Sequence, residues 1–412
     1  MNIFSSLKWL AVCSLLAVAC KKTEDPPQKI GQSLPYAGPT KTLEQLLDSL
    51  PDCTLYDAMY KRSSLKRYID SINTRKASTP FTLFVPNDKA LTAAGYSIAS
   101  INATSPTLLD SVVRYLALTG NYQTNTSPSG VTITTLMVPD AKLVRTTVPT
   151  VFTTSQPYLY LITPDFKADA LWLNGKKVSS TATPIAAVNG SLYRIDSLVQ
   201  KPYYELYQAV NTDTSLTYYM AALRISDSLY KARGILGTPS SNTQYNDTLS
   251  MMLAPSAAGL YLSDVLLAPT NDAFRRAGYM SVSDIRTYIN KSSIAVPGAS
   301  GMYTNMDSVL NFHQLVYGAY VSSLFAAVAK GYAYTYTCDM LSNPYIAQAW
   351  FVTATTRTSI NNVFFKDAGG GHIGVQRIDA PGGRQAVIMN NSDIITLNGV
   401  IHHVDNLLLP TP

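Results

Sequence analysis

The chain repeats itself. Phe84-Val85-Pro86-Asn87-Asp88-Lys89-Ala90-Leu91, continuing to Gly95-Tyr96, recurs 183 residues later as Leu267-Ala268-Pro269-Thr270-Asn271-Asp272-Ala273-Phe274, continuing to Gly278-Tyr279. Asp110-Ser111-Val112-Val113-Arg114-Tyr115 recurs as Asp307-Ser308-Val309-Leu310-Asn311-Phe312 at an offset of 197. Asn189-Gly190-Ser191-Leu192-Tyr193-Arg194-Ile195-Asp196 recurs as Asn398-Gly399-Val400-Ile401-His402-His403-Val404-Asp405 at 209. Three blocks in one order, with a growing offset, mean two copies of one domain, the second enlarged by insertions. The boundary falls near Pro202, giving copies over residues 42–202 and 203–412, and 412 residues suffice for two such cores at ~100–200 residues per domain.

Each block has a local physical reading. Thr82 to Val85 is a short apolar strand stopped by Pro86, which lacks an N–H, and Asn87, or Thr270 in the second copy, can cap a following helix. Leu109, Val112, Val113 and Leu116 are spaced for one buried helix stripe, repeated by Met306, Val309, Leu310 and His313. Asn-Gly at 189–190 and 398–399 signals a tight turn before a closing strand. Amphipathic helices precede each copy: Thr42 and Gln45 form a capping box ahead of Leu43, Leu46 and Leu47, and Leu65, Tyr68, Ile69 and Ile72 continue the spacing. In the second copy Leu216, Tyr219, Met220 and Leu223 do the same. Short strands are expected at Tyr158 to Thr163 and Ala386 to Met389, so the fold class is α+β.

The N-terminus reads as an address. Lys8 precedes the apolar run Trp9 to Ala19, well short of the ~20 residues of a spanning helix. Leu16-Ala17-Val18-Ala19-Cys20 resembles a bacterial lipobox, which implies that residues 1–19 are removed and Cys20 carries lipid; the alternative is an ordinary secretory signal cleaved after Ala19. Residues 20–41 are polar and Pro-rich and form an extended tether. Lys21-Lys22-Thr23-Glu24-Asp25 resembles the charged export tags of Bacteroidota-type lipoproteins, implying the outer membrane and its outer face. Cys53 and Cys338 are expected to be free thiols.

The repeated blocks resemble the fasciclin domain. Its first box looks like Thr82 to Leu91 and Leu266 to Phe274; its last box looks like Asp393-Ile394, Asn398-Gly399-Val400-Ile401-His402, Asp405 and Leu407 to Pro410. Its Tyr-His pair is met by Phe312-His313. The first copy departs: Leu116 follows Tyr115, Pro184 stands where Asp is expected, and Tyr193 replaces His. The resemblance implies two wedge-shaped β-sandwiches with short helices grouped on one side. It also implies adhesion or binding rather than catalysis, with Phe312, His313, Asp393 and Ile394 as binding residues of the second copy and Asn398, Gly399, His402 and Asp405 as structural motif.

Composition removes several rivals. Hydrophobic residues make up 46% and charged residues only 14%, below the ~25% of soluble domains, so the bulk is not disordered. The net charge of +6 is too small to predict a nucleic-acid partner. Glutamates are limited to Glu24, Glu44 and Glu205, which starves a paired-Glu glycosidase. Gly369-Gly370-Gly371-His372-Ile373-Gly374 satisfies a dinucleotide-binding pattern literally, but no helical pattern follows, so a hairpin is expected. His402 and His403 neighbour each other on a strand and face opposite ways; neither a metal nor a cofactor is expected.

Tyr332, Tyr334 and Tyr336 alternate within the second copy's insertion, which predicts three rings on one strand face: packing against the domain, or a platform for a sugar or a protein. His313 and Asp393 have core and capping readings beside their binding ones. Lys61, Arg62, Lys66, Arg67, Arg75 and Lys76 form a basic cluster, read as a solvated helix face against a dock for anionic glycan. The expected partners are the membrane, through the lipid, and a surface protein or polysaccharide; a scaffold role in an outer-membrane import complex is the alternative.

Overall fold

The computed structural model describes residues 38–74, 79–123, 131–146, 155–167, 170–232, 264–292, 304–316, 334–342, 350–352, 357–359, 363–380, 382–397 and 399–409. Residues from Lys41 onward form one compact unit.

In the first copy the helices are α1 (Leu43–Asp48), α2 (Thr54–Arg62), α3 (Ser64–Thr74), α4 (Asp88–Ala93), α5 (Ile98–Ala103) and α6 (Pro106–Val113). The strands are β1 (Phe81–Pro86), β2 (Ala117–Thr119), β3 (Ile133–Thr134), β4 (Asp140–Thr146), β5 (Ser155–Tyr158), β6 (Leu161–Ile162), β7 (Pro164–Lys167), β8 (Ala170–Leu173), β9 (Lys176–Ser179), β10 (Ile185–Ala187) and β11 (Gly190–Ile195). The second copy carries α7 (Leu206–Thr212), α8 (Thr217–Ala232), α9 (Asn271–Arg276), α10 (Val282–Asn290), α11 (Asn305–Leu310) and α12 (Thr337–Met340). Its strands are β12 (Asp264–Pro269), β13 (Gln314–Val316), β14 (Trp350–Val352), β15 (Arg357–Ser359), β16 (Val363–Gly369), β17 (His372–Arg377), β18 (Ala386–Val387), β19 (Ile394–Thr396) and β20 (Gly399–Val404).

The repeat is a repeat of sheets. One four-stranded sheet runs β10-β11-β1-β2 and the other β19-β20-β12-β13. Their registers coincide at the sequence offsets: Phe81 faces Gly190 across a parallel pair as Asp264 faces Gly399, and Ile185 faces Leu192 as Ile394 faces Ile401. Both parallel pairs are covered on both sides, and β1 and β20 are buried along their whole length. In the second copy Leu266, Ala268 and Ile401 face a helical cluster with Leu216, Tyr219 and Phe274. Val265, Leu267, Val400 and Val404 face a cluster that includes Val363, Phe365 and Val375 of β16 and β17.

Helix boundaries follow the capping residues. Thr42 and Gln45 close the expected box, Asn87 accepts from the Ala90 N–H and Thr270 accepts from the Ala273 N–H. The conserved-in-repeat Gly-Tyr dipeptide ends α4 and α9: Gly95 and Gly278 adopt φ of +88° and +95°, letting Tyr96 and Tyr279 donate back to Leu91 and Phe274. The glycine pattern at 369–374 is the expected hairpin, with β16 and β17 joined through Gly370 and Gly371.

Three expectations need correction. The strand placed at Tyr158 to Thr163 is two strands, β5 and β6, which pair with different partners, β4 and β3; Tyr158 and Tyr160 pack edge to face at 5.1 Å where the chain changes sheets. The strand at Ala386 to Met389 changes partners: Ala386–Val387 pairs with β17, and Ile388 crosses to bridge Val404 of β20. Tyr334 to Tyr336 do not form a strand but lead into α12.

Gly190 is fixed by close approach as well as by conformation. Its φ is +150°, and a Cβ there would sit 1.9 Å from the Phe81 carbonyl oxygen inside the parallel ladder. Gly190→Ala should therefore cost more than about 2 kcal/mol, read as a lowered urea midpoint, whereas Gly382→Ala, whose Cβ meets open space, should stay within about 0.5 kcal/mol.

Candidate functional site

The second copy's motif residues enter the structure as packing and hydrogen-bonding groups. His313 is fully buried; its Nδ1 lies 2.8 Å from the Leu267 carbonyl and its Nε2 accepts from the Leu408 N–H at 2.9 Å. Those partners fit the neutral ring with the proton on Nδ1, and burial lowers its pKa to about 4, with the Arg377 charge adding to the effect. Phe312 is half-buried under the Arg377 guanidinium, 3.5 Å from the ring centre. Asp393 is 8% exposed and adopts φ of +58°. Its carboxylate accepts from the N–H and hydroxyl of Thr337, capping the approach to α12, and its own N–H donates to His402 Nδ1 at 3.3 Å. His402 is held at its other nitrogen by the Thr335 carbonyl, 2.9 Å away, and burial lowers its pKa.

Asp393 and His402 are thus brought together, while Phe312-His313 and Asp393-Ile394 pack against different clusters, Phe312 with β16 and β17 and Ile394 with the helices. His403 points the other way from His402, between the Asn391 carbonyl and Asp213 at 2.7 Å. Gly399 opens β20, and Asp405 joins the Val387 N–H to Arg276. Cys20, Tyr332 and Asn398 lie outside the described residues.

Tyr334 and Tyr336 are not an exposed platform. They are 6% and 2% exposed, their rings stack at 6.5 Å, and the Tyr334 hydroxyl reaches the Leu397 carbonyl. The first copy covers them: a Cβ on Gly175 would stand 2.6 Å from the Tyr336 side chain. They belong to a seam between the copies, where the Tyr158 hydroxyl donates to the Leu397 carbonyl at 2.6 Å.

Lys167 is the charged centre of that seam. Its ammonium contacts Asp165 at 2.6 Å in its own copy, and Asp339 and the Cys338 carbonyl, at 2.9 Å, in the other. Asp165, Cys338 and Asp339 are the one group with metal-ligand spacing among the described residues, and the ammonium already lies among them. Burial, with Asp339 beside it, raises the Cys338 thiol to about 12, keeping it neutral. Both thiols are free; Cys53 is buried and Cys338 half-buried. The basic cluster on α2 and α3 is largely paired: Lys61 with Asp48 and Asp57, Lys66 with Glu44 and Asp70, while Arg75 and Lys76 lie outside the described residues.

Two clefts open along the seam, and Asp393 borders both. One, of about 390 Å³, lies between Trp172 and a rim that includes His372, Asn390 and Ser392. The other, of about 350 Å³, is bordered by Lys176, Lys201, Tyr203, Tyr204 and Ile394. Sequence reasoning missed Trp172. Its signal was present: Leu171 and Leu173 belong to the core, so period-two alternation turns the tryptophan between them outward.

These elements can be compared with known proteins. Residues 51–201 match the fasciclin domain family. That span is the first copy almost entire, and the second copy repeats its sheet register by register. No curated protein shows significant sequence similarity to the chain. Among solved structures, a FAS1 domain pair from the insect cell adhesion molecule fasciclin I aligns with 10% identity over 86% of this chain and 96% of that one. The TM-score is 0.31, too loose to carry an argument. Fasciclin domains are typically non-catalytic adhesion domains, and no enzyme family is indicated.

The histidine geometry gives a signed pH dependence. Between pH 6.5 and about 4 the unfolded chain takes up a proton at His313 that the folded chain refuses, so stability is full above pH 6.5 and falls as pH drops toward 4. His313→Leu, which installs the residue of the first copy's matching Leu116, should make the urea midpoint decline less steeply over that interval; an unchanged slope would contradict the assignment.

Proposed function

We propose that this chain is a non-catalytic, lipid-anchored surface lipoprotein of Bacteroidota type that mediates adhesion or binding to a protein or glycan through two fasciclin-like domains. The match of residues 51–201 to the fasciclin domain carries the reading, supported by the duplicated sheet of the second copy. The sequence Leu16-Ala17-Val18-Ala19-Cys20 supports the anchor. Among the described residues no helix is long and apolar enough to cross a membrane; the proposed attachment is the acyl group on Cys20. The seam favours binding over catalysis in this reading: the Asp393 carboxylate and His402 imidazole are engaged in hydrogen bonds within the second copy, and the Cys338 thiol in one from Lys167 of the first.

The test is metabolic labelling with an alkyne fatty acid, followed by fractionation and pull-down of the full-length protein in mild detergent. Wild-type protein should carry label and sediment with outer membrane, and Cys20→Ser should lose both; a variant that stays in the membrane fraction would contradict the anchor. A stoichiometric membrane complex in the pull-down would move the role from adhesion to scaffold.

A further inference from the structure

The 390 Å³ cleft at the seam has features of a ligand site that the packing does not use. Trp172 stands on the outward side of β8 and is only half-covered. Its indole N–H has no hydrogen-bond partner, and its ring has no aromatic or cationic neighbour, among the described residues. An aromatic wall left bare inside a concavity is unusual, because such rings normally bury their faces. Opposite it, the Gly370–Gly371 turn brings His372 to the rim as the first residue of β17, and Asn390 stands exposed in the segment after β18. Neither the imidazole nor the carboxamide has a partner among the described residues, so both are free to hydrogen-bond a guest.

The charges narrow the class of guest. Among the described residues Asp393 is the only carboxylate bordering this cleft, which has no Lys or Arg, and Thr337 donates to both of its oxygens. The cleft thus offers no lysine or arginine to hold an anion, and its one carboxylate is turned to Thr337 rather than to a guest cation. What remains is a flat apolar ring, with Leu341 and Met389 adding apolar surface, and the hydrogen-bonding side chains of His372, Asn390 and Ser392. A pyranose has the complementary pair of properties: a patch of C–H groups on its face and hydroxyls at its edge. The volume lies near the lower end of the ~300–1,000 Å³ of small-ligand sites, room for a short stretch of sugar rather than a protein loop.

We propose that the cleft between Trp172 of the first copy and His372 and Asn390 of the second is a binding subsite for a neutral saccharide, with the ring stacked on the indole. This rests on the binding reading above and gives it a ligand class and a place. Because the two walls come from different copies, the site exists only when the copies are docked.

The experiment titrates the full-length protein in mild detergent with neutral oligosaccharides, namely hexamers of β-glucan, xylan and mannan, with hexagalacturonate and adenosine as charged and aromatic contrasts. Heat and tryptophan emission are read together. At least one neutral oligosaccharide should bind saturably and shift the emission. Trp172→Ala should weaken it about tenfold or more, and so should His372→Ala, an exposed change that leaves the fold intact. Binding of none of the neutral sugars, equal binding in both variants, or preference for hexagalacturonate or adenosine would each overturn the proposal. If the protein still captures cells or a membrane complex while failing this titration, the saccharide subsite falls and the broader binding reading stands. If it captures neither, both fall.

Discussion

The structure depends on one pairing made twice: the last strand of each copy returns to lie parallel beside the first. Phe81–Pro86 pairs with Gly190–Ile195 and Asp264–Pro269 with Gly399–Val404, so all of the intervening chain is an excursion that must close on itself. A parallel pair cannot be joined by a tight turn. Helices and short strands fill the excursion on both faces, which is why β1 and β20 are buried along their whole length, the two histidines of β20 included. The glycine at the head of each closing strand follows from this: the backbones come too close for a side chain at Gly190.

Given two such units, what distinguishes this chain is how the second one is docked. The second copy replaces Leu116 and Tyr193 of the first with His313 and His402. His313 ties β12 to the segment at Leu408, and His402 ties Thr335 to Asp393. The His402 bond fixes Thr335, in the segment whose Tyr336 and Asp339 meet Gly175 and Lys167 of the first copy. His313, expected as a binding residue, and His402, expected as structural motif, both work behind the surface. His402 shapes the seam, and the seam shapes the clefts.

The parts legible in sequence were those fixed by local rules. Strand ends at Pro86 and Pro269, caps at Thr42, Asn87 and Thr270, and the Gly-Tyr helix ends each need a particular residue at a particular place, so they survive duplication and can be read. The seam was not legible. Alternating tyrosines look the same on an open strand and in an extended segment buried by a partner; the difference lies in Gly175, far away in sequence. Trp172 sits inside the run Leu171-Trp172-Leu173, where an outward ring is masked by its apolar neighbours. Lys167 carried no motif at all, and its importance comes only from the carboxylates that folding gathers around it.

The central claim is that the two copies are docked through this seam into one unit rather than strung as independent beads. Equilibrium urea unfolding, followed in parallel by far-ultraviolet circular dichroism and by tryptophan emission, tests it most directly. The account predicts one coincident transition by both probes in the wild-type chain, separating into two when Lys167→Met removes the ammonium between Asp165 and Asp339. Two separate transitions in the wild type, or a Lys167→Met chain that still unfolds in one step at an unchanged midpoint, would contradict it.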